Sequence, residues 1–200
     1  MNILSGTDMH ELRSYLYGIR WLFLLTAVVF FISAVAGYFV TAGNPDSAEL
    51  ALQELEGLAE LIGDLSPIQI MLFIFLNNSI KSLFAILLGV FFGVIPFAFL
   101  AYNGYVLGVV VYIYGAEEGL FSILISLLPH GIIELPMVFL SVAIGMHMGA
   151  AVFDLVRGRP SDVKQELVRG LSVFFGFVVP LLFIAAFVET FITPVFILYF

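Results

Sequence analysis

The sequence has no cysteine, a single tryptophan and only seven lysines and arginines in 200 residues. Without a thiol there is no disulfide, no thiolate metal site and no cysteine nucleophile. Fifteen acids outweigh the seven bases, for a formal net charge of -8. That balance excludes nucleic acid as a partner, because phosphates demand clustered cations. Charged residues of either sign make up 11% of the chain, against about a quarter in ordinary soluble domains. Apolar residues fill their place, at 62%. A soluble fold of this length cannot hide that much apolar surface, whereas a bilayer can. Nothing in length or composition calls for a second domain, so residues 1–200 read as one membrane domain.

The apolar residues come in long runs. Trp21 to Val40 carries no charge, enough to cross a hydrocarbon core of about 30 Å. Ala34-Val35-Ala36 imitates a signal-peptidase site, but the polar leader before the run and the hydrophobicity after it favour an uncleaved anchor. The segment 41–66 carries Asp46, Glu49, Glu54, Glu56, Glu60 and Asp64 without a base. Leu50, Leu55, Leu58, Leu61 and Ile62 recur there at helical spacing, predicting an acidic amphipathic helix on the membrane surface. Asp46 and Glu49 fit a capping box at its start.

Pro67 to Leu100 is too long for one straight crossing, at about 51 Å if helical throughout. Gly89, Gly93 and Pro96 mark the turn, giving spans at 67–94 and 96–114. Gly119 to Ala151 is overlong too, and Pro129, Gly131 and Pro136 interrupt it. The spacing predicts a half-helix over 119–128 and a span over 129–151. The last span is 171–198, after a basic loop at 154–169. The fold class is therefore all-α: a polytopic bundle of about five spans, some kinked or broken.

Six of the seven bases lie in the N-terminal segment and the 154–169 loop. The positive-inside rule places both in the cytoplasm of a multi-pass cell-membrane protein. Four crossings between them satisfy parity. The N-terminus is then inside, and the acidic segment, Glu117, Glu118 and the C-terminus are outside.

The seventh base, Lys81, lies within the second span. Asn77 and Asn78 share its face. His130 and Glu134 stand at i,i+4 in the fourth span, Glu189 with Thr190 and Thr193 in the fifth, and Asn103 in the third. A charge at the bilayer centre costs about 2.5–3.5 kcal/mol. The expectation is one intramembrane polar cluster of Asn77, Asn78, Lys81, Asn103, His130, Glu134 and Glu189, with Lys81 paired to Glu134 or Glu189. Such a cluster serves as interhelical glue, as an ion, proton or substrate path, or as a metal site. For metal, only His130, Glu134 and Glu189 are available, and no HExxH motif accompanies them. No cofactor and no catalytic residue is assigned. Gly89/Gly93, Gly104/Gly108 and Gly145/Gly149 form small-xxx-small pairs that predict close helix contact, within the chain or with a second copy.

The proline-flanked block Leu128-Pro129-His130-Gly131-Ile132-Ile133-Glu134-Leu135-Pro136 resembles the signature of the stage II sporulation protein M-like integral membrane proteins. Phe75-Leu76-Asn77-Asn78-Ser79-Ile80-Lys81, Tyr102-Asn103-Gly104 and Phe187-Val188-Glu189-Thr190-Phe191-Ile192-Thr193-Pro194 extend the likeness over about 70–195. The resemblance implies a multispanning bundle and supplies no catalytic residues. The family's namesake holds peptidoglycan-degrading partners at the septum during engulfment, while relatives occur in organisms that never sporulate. The resulting expectation is a non-enzymatic scaffold or assembly component, with the bilayer and a membrane-protein partner or second copy as its contacts. A small transporter or ion/proton-conducting protein is the second reading, and an intramembrane metal-dependent hydrolase the third.

Overall fold

The computed structural model describes residues 9–195. The side chains of Leu50, Glu54, Leu58, Ile62, Glu117, Glu118 and His130 lie outside the described set, as do Asp8 and residues 196–198 of the expected last span. Helices account for nearly all of the described chain, and no strand occurs among the described residues. Five helical stretches are long and apolar enough to cross a membrane: Glu11–Gly43, Pro67–Val90, Val94–Ala116, Gly131–Val156 and Val163–Val195.

Helix α1 (Met9–Gly43) begins well before its apolar run, so residues 9–20 of the polar leader and the first span are one continuous rod. Its side chains at Leu24, Val28, Phe31, Ile32, Val35 and Phe39 face away from the bundle, as lipid-facing residues do. Below that stripe, the Arg20 guanidinium lies 3.7 Å from the Tyr17 ring centroid and 5.5 Å from that of Trp21. Aromatics with a cation at this position mark a lipid–water boundary.

A short 3-10 turn, Pro45–Ala48, leads into α2 (Glu49–Gly63). Asp46 lies inside that turn rather than at the helix boundary, so the capping box read at Asp46 and Glu49 is displaced. Ala48 and Ala51 are buried against Val109, with Leu52 and Tyr105 packed beside them. The acidic helix thus lies on the bundle, with Glu49, Glu56, Glu60 and Asp64 exposed.

Helix α3 (Pro67–Leu87) opens with Ser66, whose backbone N–H donates to Gln69 Oε1 at 2.8 Å, and with proline in the first turn. Beyond the 3-10 turn Leu88–Val90, Phe92 (φ 56°) and Gly93 (φ 73°) reverse the chain into α4 (Val94–Glu118). A bulky residue in the left-handed region costs about 1–2 kcal/mol. The Phe92 ring is held edge-on to Phe153 at 6.1 Å.

Gly119 (φ 91°) turns the chain into α5 (Leu120–Val156), which runs unbroken through Pro129, Gly131 and Pro136. The half-helix expected over 119–128 is therefore its continuous first part. Each proline removes one backbone donor, and the remaining turns keep their own bonds while neighbouring helices hold the rod. Its 37 residues exceed what the bilayer requires, so the helix projects beyond the span.

Helix α6 (Val163–Val173) follows a bend, with Asp162 Oδ1 accepting from the Gln165 N–H at 2.9 Å as an N-cap. The chain continues into α7 (Val179–Phe187) through the π-helical turn Phe174–Val178, and a second π turn, Val188–Ile192, follows α7. Each π turn ends two residues before a proline, Pro180 or Pro194. A proline ring collides with the carbonyl four residues back, here at Gly176 and Thr190, and the wider turn makes room for it.

Backbone contacts set the packing. A Cβ on Gly108 would fall on the Ala34 carbonyl, and one on Gly37 on the Tyr105 carbonyl, so α1 and α4 touch main chain to main chain. Gly89 meets Gly145, and Gly149 meets Gly93, which locks α3 and the turn against α5. All three small-xxx-small pairs face partners within the chain. The core runs along α5, where Met137, Leu140 and Ile144 meet Ile19, Ile86, Phe174 and Val178, and Phe139 meets Phe30 and Leu100. At one end of the bundle, Tyr15 and His147 stack edge to face at 5.8 Å. This end gathers Arg13, Arg157, Arg159, Lys164 and Arg169, while α2 caps the other.

Candidate functional site

Gly145 sits between Ala85 and Gly89, and this contact fixes the register of the parallel pair α3 and α5. Eleven residues toward the N-terminus of α5, about 16 Å by helical rise, stands Glu134, half-buried. It is level with the turn of α3 that carries Asn77 and Asn78. These two are also half-buried, with Asn77 Nδ2 donating to Asn78 Oδ1 at 3.4 Å. On the last span, Phe183 stacks against Phe75 of α3 at 5.4 Å. Glu189 lies six residues farther along, about 9 Å nearer the α2 end, in the second π turn, which packs on both α3 and α5. The Thr193 hydroxyl lies 3.3 Å from both Glu189 Oε2 and the Val188 carbonyl and donates its one proton between them.

The remaining members are disposed differently. Asn103 turns back on its own helix, donating to the Phe99 carbonyl at 2.7 Å. Lys81 is exposed on the surface of α3. Among the described residues it makes no ion pair with Glu134 or Glu189; the ion pairs there lie at the basic end. It borders a groove of about 360 Å³ between α3 and α4, walled by Phe84, Leu88, Ile95, Pro96 and Phe99. No three His, Asp or Glu side chains among the described residues are placed to share a metal ion.

A second polar group, which sequence reasoning left unconnected, lies at the basic end. Glu166 Oε2 stands 3.2 Å from His147 Nε2, while Glu166 Oε1 accepts from Arg169 Nη1 at 3.2 Å. Tyr15 stacks on His147, with its hydroxyl buried and without a hydrogen-bond partner among the described residues. Composition reads residues 154–169 as a basic loop, whereas the chain is helical from Val163. The N-cap at Asp162 was the available signal that Glu166 and Arg169 share a helix and, three residues apart, one face.

Five apolar helices, interlocked through glycines and carrying amides and carboxylates at membrane depth, define a polytopic helical membrane protein. The model of the family described as stage II sporulation protein M matches residues 26–194, and the chain belongs to that family. It is 31% identical over 122 residues to an uncharacterized protein of the archaeon Methanocaldococcus jannaschii, an alignment covering 60% of this chain and 68% of the relative. No solved structure matches.

Proposed function

We propose that the protein is a non-enzymatic scaffold or assembly component of the cell membrane, with its N-terminus and basic end in the cytoplasm. The observation that carries this reading is the double backbone lock, α1 on α4 and α3 on α5. Alternating access requires one group of helices to rock against another, and contacts without room for a methyl group oppose such motion. The family's namesake, which holds partners at a septum, fits the same physical picture. The basic end favours a cytoplasmic placement through the positive-inside rule.

The second reading is a small transporter or ion/proton-conducting protein. It draws on Glu189, a carboxylate in a π turn with a threonine hydroxyl shared between it and the backbone, since π turns recur at functional sites. Reconstitution into sealed liposomes separates the two. A scaffold gives no proton or cation flux above protein-free vesicles. Flux that disappears in Glu134→Gln or Glu189→Gln replaces the scaffold with the transporter.

A further inference from the structure

We infer that the α3–α4 groove beside Lys81 is an assembly surface for a transmembrane helix of another protein that carries a carboxylate at the depth of Lys81. This rests on the scaffold reading and names the class of partner it would hold.

Three observations converge. Lys81 is a cation on the outer surface of a spanning helix, without a carboxylate partner among the described residues. Glu189 is engaged with Thr193, and Glu134 likewise has an interaction of its own. An ammonium facing hydrocarbon is unfavourable, and intramembrane charges ordinarily face protein or pair with one another. The adjoining groove is partly open at the surface of the bundle, and its walls are apolar, of a size to take the aliphatic side chains of a neighbouring helix.

Depth selects a helix over a lipid headgroup. Lys81 is seven residues from Leu88 at the turn, about 10 Å of helical rise, and fourteen from Pro67, about 21 Å. Side chains lean toward the N-terminus of their helix, which for α3 is Pro67, the more distant surface. Phosphates stay at the surface, whereas a spanning helix can carry a carboxylate to any level. Charge complementarity then specifies Asp or Glu on the partner.

The test uses the full chain in phosphatidylcholine bilayers and a fluorescent leucine–alanine transmembrane peptide. One version carries a single Asp about 10 Å from its inner end and a control carries Leu there. The Asp peptide should bind about tenfold more tightly than the control. Lys81→Met should remove that preference and Lys81→Arg should keep it, with circular dichroism confirming that both variants are folded. Equal binding of the two peptides, or a preference that survives Lys81→Met, overturns the inference. So does a Lys81-dependent enrichment of phosphatidylglycerol in place of the peptide, or a Lys81-dependent dimer of the chain in peptide-free bilayers. Each failure leaves the scaffold reading to be judged by the flux measurement alone.

Discussion

Glu166 Oε2 and His147 Nε2 stand 3.2 Å apart and join α6 to α5, while the other oxygen of the same carboxylate holds Arg169. One side chain thus touches both helices that flank the bend between the central helix and the last span. Glu166→Gln should lower stability by about 1 kcal/mol, read as a fall in the thermal midpoint in detergent. His147→Phe keeps a ring against Tyr15 and should cost less. A double-mutant cycle between the two positions should give a coupling below about 1 kcal/mol; zero coupling would remove the contact from the account.

The α1–α4 contact leaves no room for a side chain at Gly108, where a Cβ would meet backbone of both Ala34 and Tyr38. Gly108→Val should destabilise the bundle by about 1–3 kcal/mol through forced separation of the helices. Gly18→Ala, on the same α1 but with nothing near its Cβ, should be neutral or stabilising by up to about 1 kcal/mol. Thermal unfolding of the two variants side by side checks the pair, and a tolerated Gly108→Val would contradict the close approach.

Docking of α2 depends on Ala51, buried against Val109. Ala51→Glu places a charge in that apolar seam and should release α2 from the bundle. The readout is limited proteolysis: cleavage within 44–66 should accelerate while the spanning helices stay protected. An unchanged digestion pattern would mean that α2 is held elsewhere.

Lys81 makes no ion pair within the described chain, so Lys81→Met should leave the thermal midpoint of the isolated protein unchanged or raise it. A fall would indicate that the lysine is paired inside the bundle, as the sequence alone suggests.

The fold class is legible because its causes are local. Uncharged runs, glycine spacing and the two basic clusters each report on the chain near themselves, and the turn at Gly89–Gly93 follows from them. Helix continuity at Pro129 and Pro136 is not legible, because the rods packed around α5 decide whether a proline ends it. The candidate site divides along the same line. Depth is a count along a helix, so Asn77, Asn78 and Glu134 come level as the register requires. Direction depends on the neighbours: Asn103 bonds to its own backbone, and Lys81 faces outward beside Phe84 and Phe99. The Glu166 contacts depend on a helix start at Val163 that composition reads as a loop.

The reversal between α3 and α4 is built from Leu88, Val90, Phe91 and Phe92, and the sequence carries no charge from Ser82 through Ala116. During membrane insertion, that hairpin presents no lysine or arginine at its tip to be retained on one side. Its orientation must therefore be imposed by the charged helices on either side, and the pair must enter as a unit, since neither leg has a topological signal at the bend. Two lysines placed at the tip would set a local signal beside the inherited one, and glycosylation-site mapping of the two loops would show whether α3 and α4 still cross in the same sense.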